Sequence, residues 1–177
     1  MERQRHPYFE VFKITFWCIL LACVYGILHD QVTARICLPY FTEFHPKLGL
    51  PDDPTIVAFC WGIIATWWVG AMLGVVLGMV CASGTGPRLG IRELNRPLGL
   101  LFSAMAMAAL GAGLLGFVSG VYVGKLIYPP IADLTPEMQS RFSADLFAHN
   151  ASYIVGFLGG AALICWAYLK RRQLREE

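Results

Sequence analysis

The stretch LGLLFSAMAMAALGAGLLGFVSGVYVG, residues 98–124, decides the fold of this chain, because it runs for 27 residues without a charged side chain. A helix needs about 20 consecutive apolar residues to cross the hydrocarbon core of a bilayer. The stretch is therefore predicted to be a transmembrane helix. Its second half carries Gly116, Gly120 and Gly124 at four-residue spacing. Small residues at this spacing allow two membrane helices to pack closely.

Three further apolar stretches complete the predicted architecture. The chain is expected to be an all-α membrane protein, a four-transmembrane-helix bundle in a single integral membrane domain covering residues 1–177, with spans at about 11–28, 56–80, 98–124 and 151–169. Composition agrees, since 56 % of the residues are apolar and 15 % are charged, whereas soluble domains carry about 25 % charged residues. No basic face suggests nucleic acid, so the lipid bilayer is the first predicted partner.

Glycines also predict how the spans pack. Span two carries Gly70, Gly74 and Gly78 at the same spacing as the glycines of span three. The turn between these two spans is short, so they are predicted to be antiparallel neighbours in backbone contact. The turn holds three arginines that are expected to contact lipid headgroups, with a docked partner as the alternative: Arg88, Arg92 and Arg96.

Basic residues predict the orientation. Ten of the 14 Lys and Arg residues lie in the N-terminal segment, the middle turn and the C-terminal tail, and four lie in the other two connections. The positive-inside rule then places both termini in the cytoplasm. An even number of spans leads to the same N-in, C-in topology.

The two outer connections are expected to be ordered. Residues 29–54 alternate weakly between apolar and polar from Val32 to Leu38, which predicts a short excursion on the bundle, conceivably a hairpin. Thr55 is expected to cap span two. In the second connection Thr135 and Pro136 predict the start of an amphipathic helix that leads into span four.

The N-terminal span and the cysteines leave several alternatives open. The first span follows a charged segment, so it is either an uncleaved helix or a cleaved signal peptide, and Cys23 lies in a sequence similar to a lipoprotein cleavage box. None of the six cysteines forms a C-x-x-C pair. A disulfide between Cys37 and Cys60 is a further alternative.

Three segments carry a resemblance to a known group. Residues 25–35 (YGILHDQVTAR), 40–46 (YFTEFHP) and 61–70 (WGIIATWWVG) together resemble a group of uncharacterised bacterial four-span membrane proteins. The similarity covers spans one and two and the segment between them. The resemblance implies a multi-pass protein of the bacterial inner membrane. It gives no information about catalytic activity.

Histidines and carboxylates of the outer connections form the candidate site. Side chains of these two types bind zinc, iron or manganese, and the metal or cofactor candidates are His29, Glu43, His45, Asp145 and His149. The alternative is that they make hydrogen bonds within the fold, with His149 paired to Asp145. No Lys, Arg, His, Asp or Glu falls within residues 14–28, 56–80, 98–124 or 151–169 of the predicted spans, which argues against a pump, a proton-coupled transporter or a haem b site.

Three functional hypotheses follow. The first is a non-enzymatic accessory or scaffold subunit that has a membrane-protein partner or forms a homo-oligomer. The second is an enzyme or binding protein with a metal or cofactor at the outer face. The third is a passive channel or small-molecule carrier.

Overall fold

The computed structural model describes residues 7–49, 51–84 and 86–176, and all the regular secondary structure in these ranges is helical. The helices are, in chain order, α1 (Pro7–Ile36), α2 (Leu38–Thr42), α3 (Pro54–Ile64), α4 (Trp67–Ala82), α5 (Ile91–Ile127) and α6 (Pro136–Glu176). A short 3-10 helix, Pro129–Ile131, precedes α6. Four segments are long and apolar enough to cross a membrane: α1, α3 together with α4, α5, and α6. The prediction of an all-α protein with four spans is confirmed.

Polar side chains set the beginnings of α3 and α6. Asp53 caps α3, because its carboxylate accepts hydrogen bonds from the backbone N–H groups of Thr55 and Ile56 at 2.9 and 3.0 Å. The predicted cap at Thr55 is therefore wrong by two residues. At α6 the prediction is confirmed: Thr135 Oγ1 accepts from the N–H of Met138 at 3.3 Å. From there α6 continues unbroken into the last span.

Span two is interrupted where the sequence predicts a continuous helix. The α-helical pattern stops at Ile64 and resumes at Trp67. Between them the hydroxyl of Thr66 donates to the carbonyl oxygen of Gly62 at 2.5 Å. A threonine that bonds to the carbonyl four residues earlier commonly bends a helix, so this hydrogen bond accounts for the break.

The helices pack as two antiparallel hairpins, and the glycines lie inside each hairpin. α1 runs along α3 and α4, and α5 runs along α6. A Cβ atom at Gly74 would lie 2.6 Å from the Cα of Thr15, and one at Gly120 would lie 2.8 Å from the Cα of Ser140. The predicted backbone contact between spans two and three is therefore wrong. A row of glycines predicts that another helix packs closely but does not identify that helix. Here the glycines of α4 contact α1, and those of α5 contact α6.

The remaining predicted packing positions follow the same division. Gly70 and Gly78 face α1, at Ala22 and Val11, and Gly116 faces α6 at Phe147. Gly124 lies outside the part of α5 whose packing the structure describes. Arg88, Arg92 and Arg96 are exposed at the start of α5 and in the turn before it.

Two apolar cores lie at opposite ends of the bundle. The first core is built around Leu77, Leu94 and Leu98, and the second, at the α2 end, is built around Phe41 and Phe142. Large apolar side chains also cover the outside of the helices, as expected for contact with lipid: Phe157 is 79 % exposed and Val118 is 77 % exposed. A polar cluster lies between the two cores.

The segment between spans one and two is ordered, as predicted, but two of the alternatives left open for it are not formed. Residues 29–36 continue α1, and the short helix α2 follows, so the hairpin is not formed. The apolar side chains at alternate positions do not form a strand face, because packing of α1 against α3 favours the helix. Cys37 and Cys60 are both free thiols, so they do not form a disulfide. The basic residues Arg3 and Arg5 lie outside the described residues.

Candidate metal site between α1 and α6

The polar cluster is formed by one turn of α1 and one turn of α6. His29 and Asp30 of α1 meet His149 of α6, and one potential ligand atom from each lies within 4.8 Å of the other two. Asp30 is 5 % exposed and His149 is 7 % exposed. His29 is half-buried, so protein encloses most of the cluster.

The hydrogen bonds of His149 fix its tautomer. Its Nδ1 lies 2.8 Å from the backbone carbonyl oxygen of Asp145. A carbonyl oxygen only accepts, so Nδ1 carries the hydrogen and donates. In the neutral ring Nε2 then has a lone pair, and this atom lies 3.3 Å from the Oδ1 atom of Asp30. Two acceptor atoms thus face each other, and they attract only if a proton or another cation lies between them.

His29 supplies the second imidazole. Its Nε2 is buried and has no hydrogen-bond partner within the described residues. Its ring lies edge-on to that of His149, with centroids 4.6 Å apart. Tyr25 stacks on the other side at 5.8 Å and shares a 2.7 Å hydrogen bond with the hydroxyl of Ser152. His29 is thus held in place by ring contacts, and one nitrogen is left for a ligand.

Asp145 places a second carboxylate beside the cluster, and this carboxylate is fully buried. It is 0 % exposed, and neither carboxylate oxygen has a hydrogen-bond partner within the described part of the chain. Asp145 lies one helical turn before His149, whose Nδ1 contacts its backbone carbonyl oxygen. Burying an ionised carboxylate without a partner costs several kcal/mol. A cation beside Asp30 and Asp145 would remove that cost.

The segment that contains α2 covers the cluster on its outer side. Tyr40 stacks on His149 with centroids 4.9 Å apart, and the ring of Phe41 lies 5.7 Å from the same imidazole. Burial raises the pKa of the Tyr40 phenol above its usual range. This aromatic layer separates the cluster from water outside the bundle.

The five predicted ligands divide into two sets. His29 and His149 come together, and Asp145 is adjacent to them. His45 lies in the aromatic layer, where its Nδ1 donates to the carbonyl oxygen of Tyr40 at 2.7 Å. Glu43 is exposed at the end of α2, so it does not join the cluster. The alternative, in which His149 pairs with Asp145, is correct for the backbone: His149 Nδ1 donates to the carbonyl oxygen of Asp145. The carboxylate of Asp145 has no hydrogen-bond partner within the described residues.

The spacing along α1 could have identified Asp30, the ligand that the five candidates omit. It lies four residues after Gly26 and eight after Ala22, on the inward face of α1. Because the predicted first span ends at residue 28, Asp30 was not recognised as part of the inward face of α1. The helices α1 and α6 continue past the predicted span limits and include His29, Asp30 and His149, so the three polar residues lie on helices that are long enough to cross a membrane.

The donor set matches that of a transition-metal site. Two imidazoles and a carboxylate bind zinc and non-haem iron. Ligand atoms around such an ion lie roughly 3–3.5 Å apart, so the most distant pair in the cluster would close by about 1 Å. The Nδ1–H to carbonyl bond of His149 is also the usual second hydrogen bond of a metal-binding imidazole.

Comparison with known proteins adds no further assignment. No family model, curated protein or solved structure matches the chain.

Proposed function

We propose that this multi-pass membrane protein binds one divalent transition-metal ion at His29, Asp30 and His149. The observation that carries the proposal is the 3.3 Å approach of His149 Nε2 to Asp30 Oδ1, while Nδ1 is already used as a donor. His29 Nε2 and the carboxylate of Asp145 are likewise buried without a hydrogen-bond partner within the described residues, which supports the proposal.

Charge balance favours a divalent ion over a monovalent one. Asp30 and Asp145 contribute two negative charges when ionised, and two neutral imidazoles contribute none. A divalent cation makes the buried cluster neutral, which removes the cost of two carboxylates in a medium of low dielectric constant. Asp145 serves either as a fourth ligand or as the balancing charge.

The enclosure of the cluster supports a structural role for the ion. Structural metal sites are closed by protein ligands, whereas catalytic sites keep one position open for substrate. Here the layer around Tyr40 and Phe41 covers the ion. The ion would hold α1 on α6 in a non-enzymatic accessory or scaffold subunit, which is our proposed function. The hypothesis of a channel gains no support from the apolar core around Leu77, Leu94 and Leu98.

The membrane and the topology belong to the same proposal. The unequal distribution of Lys and Arg supports cytoplasmic termini, which would place the cluster toward the outer face. The resemblance to bacterial four-span proteins suggests the inner membrane as the location. A membrane-protein partner or a second copy of the chain would then contact the exposed apolar helices.

Metal titration of the purified protein tests the proposal. The protein in mild detergent is stripped with a chelator and titrated with Zn²⁺, Mn²⁺ or Fe²⁺, and bound metal and thermal unfolding are measured. We expect one ion per chain for at least one metal, with unfolding delayed as metal concentration rises. His149→Gln should weaken binding by at least about 100-fold, and Asp145→Asn should weaken it less.

His45→Gln is the matched control, because His45 has the same Nδ1 hydrogen bond to a carbonyl but lies outside the cluster. Its affinity should stay within about threefold of the parent protein, well below the 10–100-fold typical of groups that support a metal site. Failure of all three metals to bind, or equal losses in His45→Gln and His149→Gln, would refute the proposal.

A further inference from the structure

A groove on the membrane-facing side of the bundle separates the two hairpins. It has a volume of about 330 Å³ and lies between α1 and α5. The residues that line it are almost all apolar: Trp17, Leu21, Val24, Tyr25, Leu28, Asn95, Gly99 and Phe102. The groove and the metal cluster share Tyr25, whose ring lines the groove and stacks on His29.

The ends of the groove differ in polarity. At one end the indole N–H of Trp17 donates to the side-chain oxygen of Asn95 at 2.9 Å. At the other end the rings of Tyr25 and Phe102 close the space, with centroids 5.6 Å apart. The Tyr25 hydroxyl is occupied by Ser152. The floor of the groove therefore has one polar end and one apolar end.

The length of the groove matches one leaflet of a bilayer. Trp17 and Leu28 are eleven residues apart on α1, which corresponds to about 16 Å along a helix. Half of the hydrocarbon core of a bilayer is about 15 Å thick. A single acyl chain of one leaflet would fit this length, with its headgroup at the Trp17 and Asn95 end.

Positive charge lies at that same end. Arg92, Asn95, Gly99 and Phe102 recur at helical spacing on one face of α5. Arg92 and Arg96 are exposed, and neither forms an ion pair within the described residues. Guanidinium groups bind phosphate through paired hydrogen bonds. The apolar slot and the cationic end complement the two parts of an anionic phospholipid.

We infer that this groove is a binding site for an anionic glycerophospholipid. One acyl chain lies between α1 and α5 over Gly99, and the phosphate is held by Arg92 and Arg96 beside Asn95. The glycine at position 99 leaves room for the chain, because a Cβ atom there would have no neighbour within 4 Å.

Native mass spectrometry of the detergent-solubilised protein tests the site, with phosphatidylglycerol and phosphatidylcholine of identical chains as probes. The parent protein should retain phosphatidylglycerol in preference to phosphatidylcholine, with each arginine contributing about fivefold. Gly99→Leu should lower retention of both lipids at least fivefold by filling the groove. The double change Arg92→Gln with Arg96→Gln should abolish the preference, because it should lower the retention of phosphatidylglycerol more than that of phosphatidylcholine, whose choline cation already offsets the phosphate charge.

Gly111→Leu is the matched control. Gly111 is also exposed on α5 with no neighbour within 4 Å of an added Cβ, but it does not line the groove. It should retain both lipids as the parent protein does. Equal loss in Gly99→Leu and Gly111→Leu, or no loss in either, overturns the groove as the site. Equal retention of the two lipids by the parent protein overturns the role of the arginines.

Discussion

Replacing Arg171 with methionine should destabilise the protein more than any other change of a basic residue in the C-terminal tail. Arg171 is 7 % exposed on α6, and its guanidinium donates to three backbone carbonyl groups at the end of α4 and in the turn after it. The acceptors are the oxygens of Val80 at 2.5 Å, Ser83 at 2.8 Å and Pro87 at 2.7 Å. These bonds tie the last helix to the second span.

The magnitude follows from those three bonds. A hydrogen bond from a charged donor contributes about 1.5–3 kcal/mol, and a buried acceptor left without a partner costs about 1–3 kcal/mol. Ser83 is exposed and Pro87 is half-buried, so water replaces part of what these two carbonyl groups lose. We expect a net loss of about 3 kcal/mol, including the favourable position of a cation at a helix C-terminus. This corresponds to a fall in Tm of roughly 5–10 °C.

Thermal unfolding in mild detergent measures this effect. A dye that reacts with thiols reports unfolding, because Cys81 is 0 % exposed in the folded bundle. Arg171→Lys keeps the charge but loses the planar fork of donors, so it should lose about half as much stability. Arg172→Met is the matched control: Arg172 is exposed and pairs only with Glu176 at 3.1 Å, which contributes about 0–1 kcal/mol. If Arg171→Met and Arg172→Met unfold within about 1 °C of each other, the reasoning is wrong.

Two other perturbations test the packing and the outer segment. Gly74→Leu should force α1 and α4 apart, because an added Cβ would lie 2.6 Å from Thr15 Cα. This change should lower Tm by at least 5 °C, roughly the effect of 2 kcal/mol or more. Gly111→Leu is the control and should not lower Tm. Burial raises the pKa of the Cys37 thiol to about 11, so the folded state favours the protonated form. The stabilising contribution of Cys37 should be complete below pH 8.5, near the pKa of an unfolded thiol, and should be lost as the pH rises toward 11. Cys37→Ala should flatten this pH dependence in urea unfolding curves, and an unchanged slope would contradict it.

The number of spans could be predicted from the sequence because it depends on hydropathy, which is summed over many residues. Residues 98–124 carry no charge, and no packing detail changes that. The choice of partner helix could not be predicted in the same way. Gly74 has small neighbours available in more than one span, and only the three-dimensional arrangement shows that it lies against Thr15.

The candidate site was predictable in residue type and only partly in membership. His29 and His149 were identified because histidines and carboxylates of the outer connections are potential metal ligands. His45 has the same chemistry but is held by Tyr40, and nothing in the linear sequence distinguishes these cases. Asp30 was omitted although it follows His29 directly, because its place on the inward face becomes apparent only once α1 is seen to continue past residue 28.

The cluster between α1 and α6 has a consequence for biosynthesis. His29 and Asp30 lie in α1 and His149 lies in α6, so each hairpin alone carries only part of it. A nascent chain therefore keeps Asp30 without the imidazole of His149 until α6 has been synthesised and has packed against α1. The polar centre is completed only at that stage, and a quality-control protease could recognise a product truncated before α6 by its unpaired carboxylate.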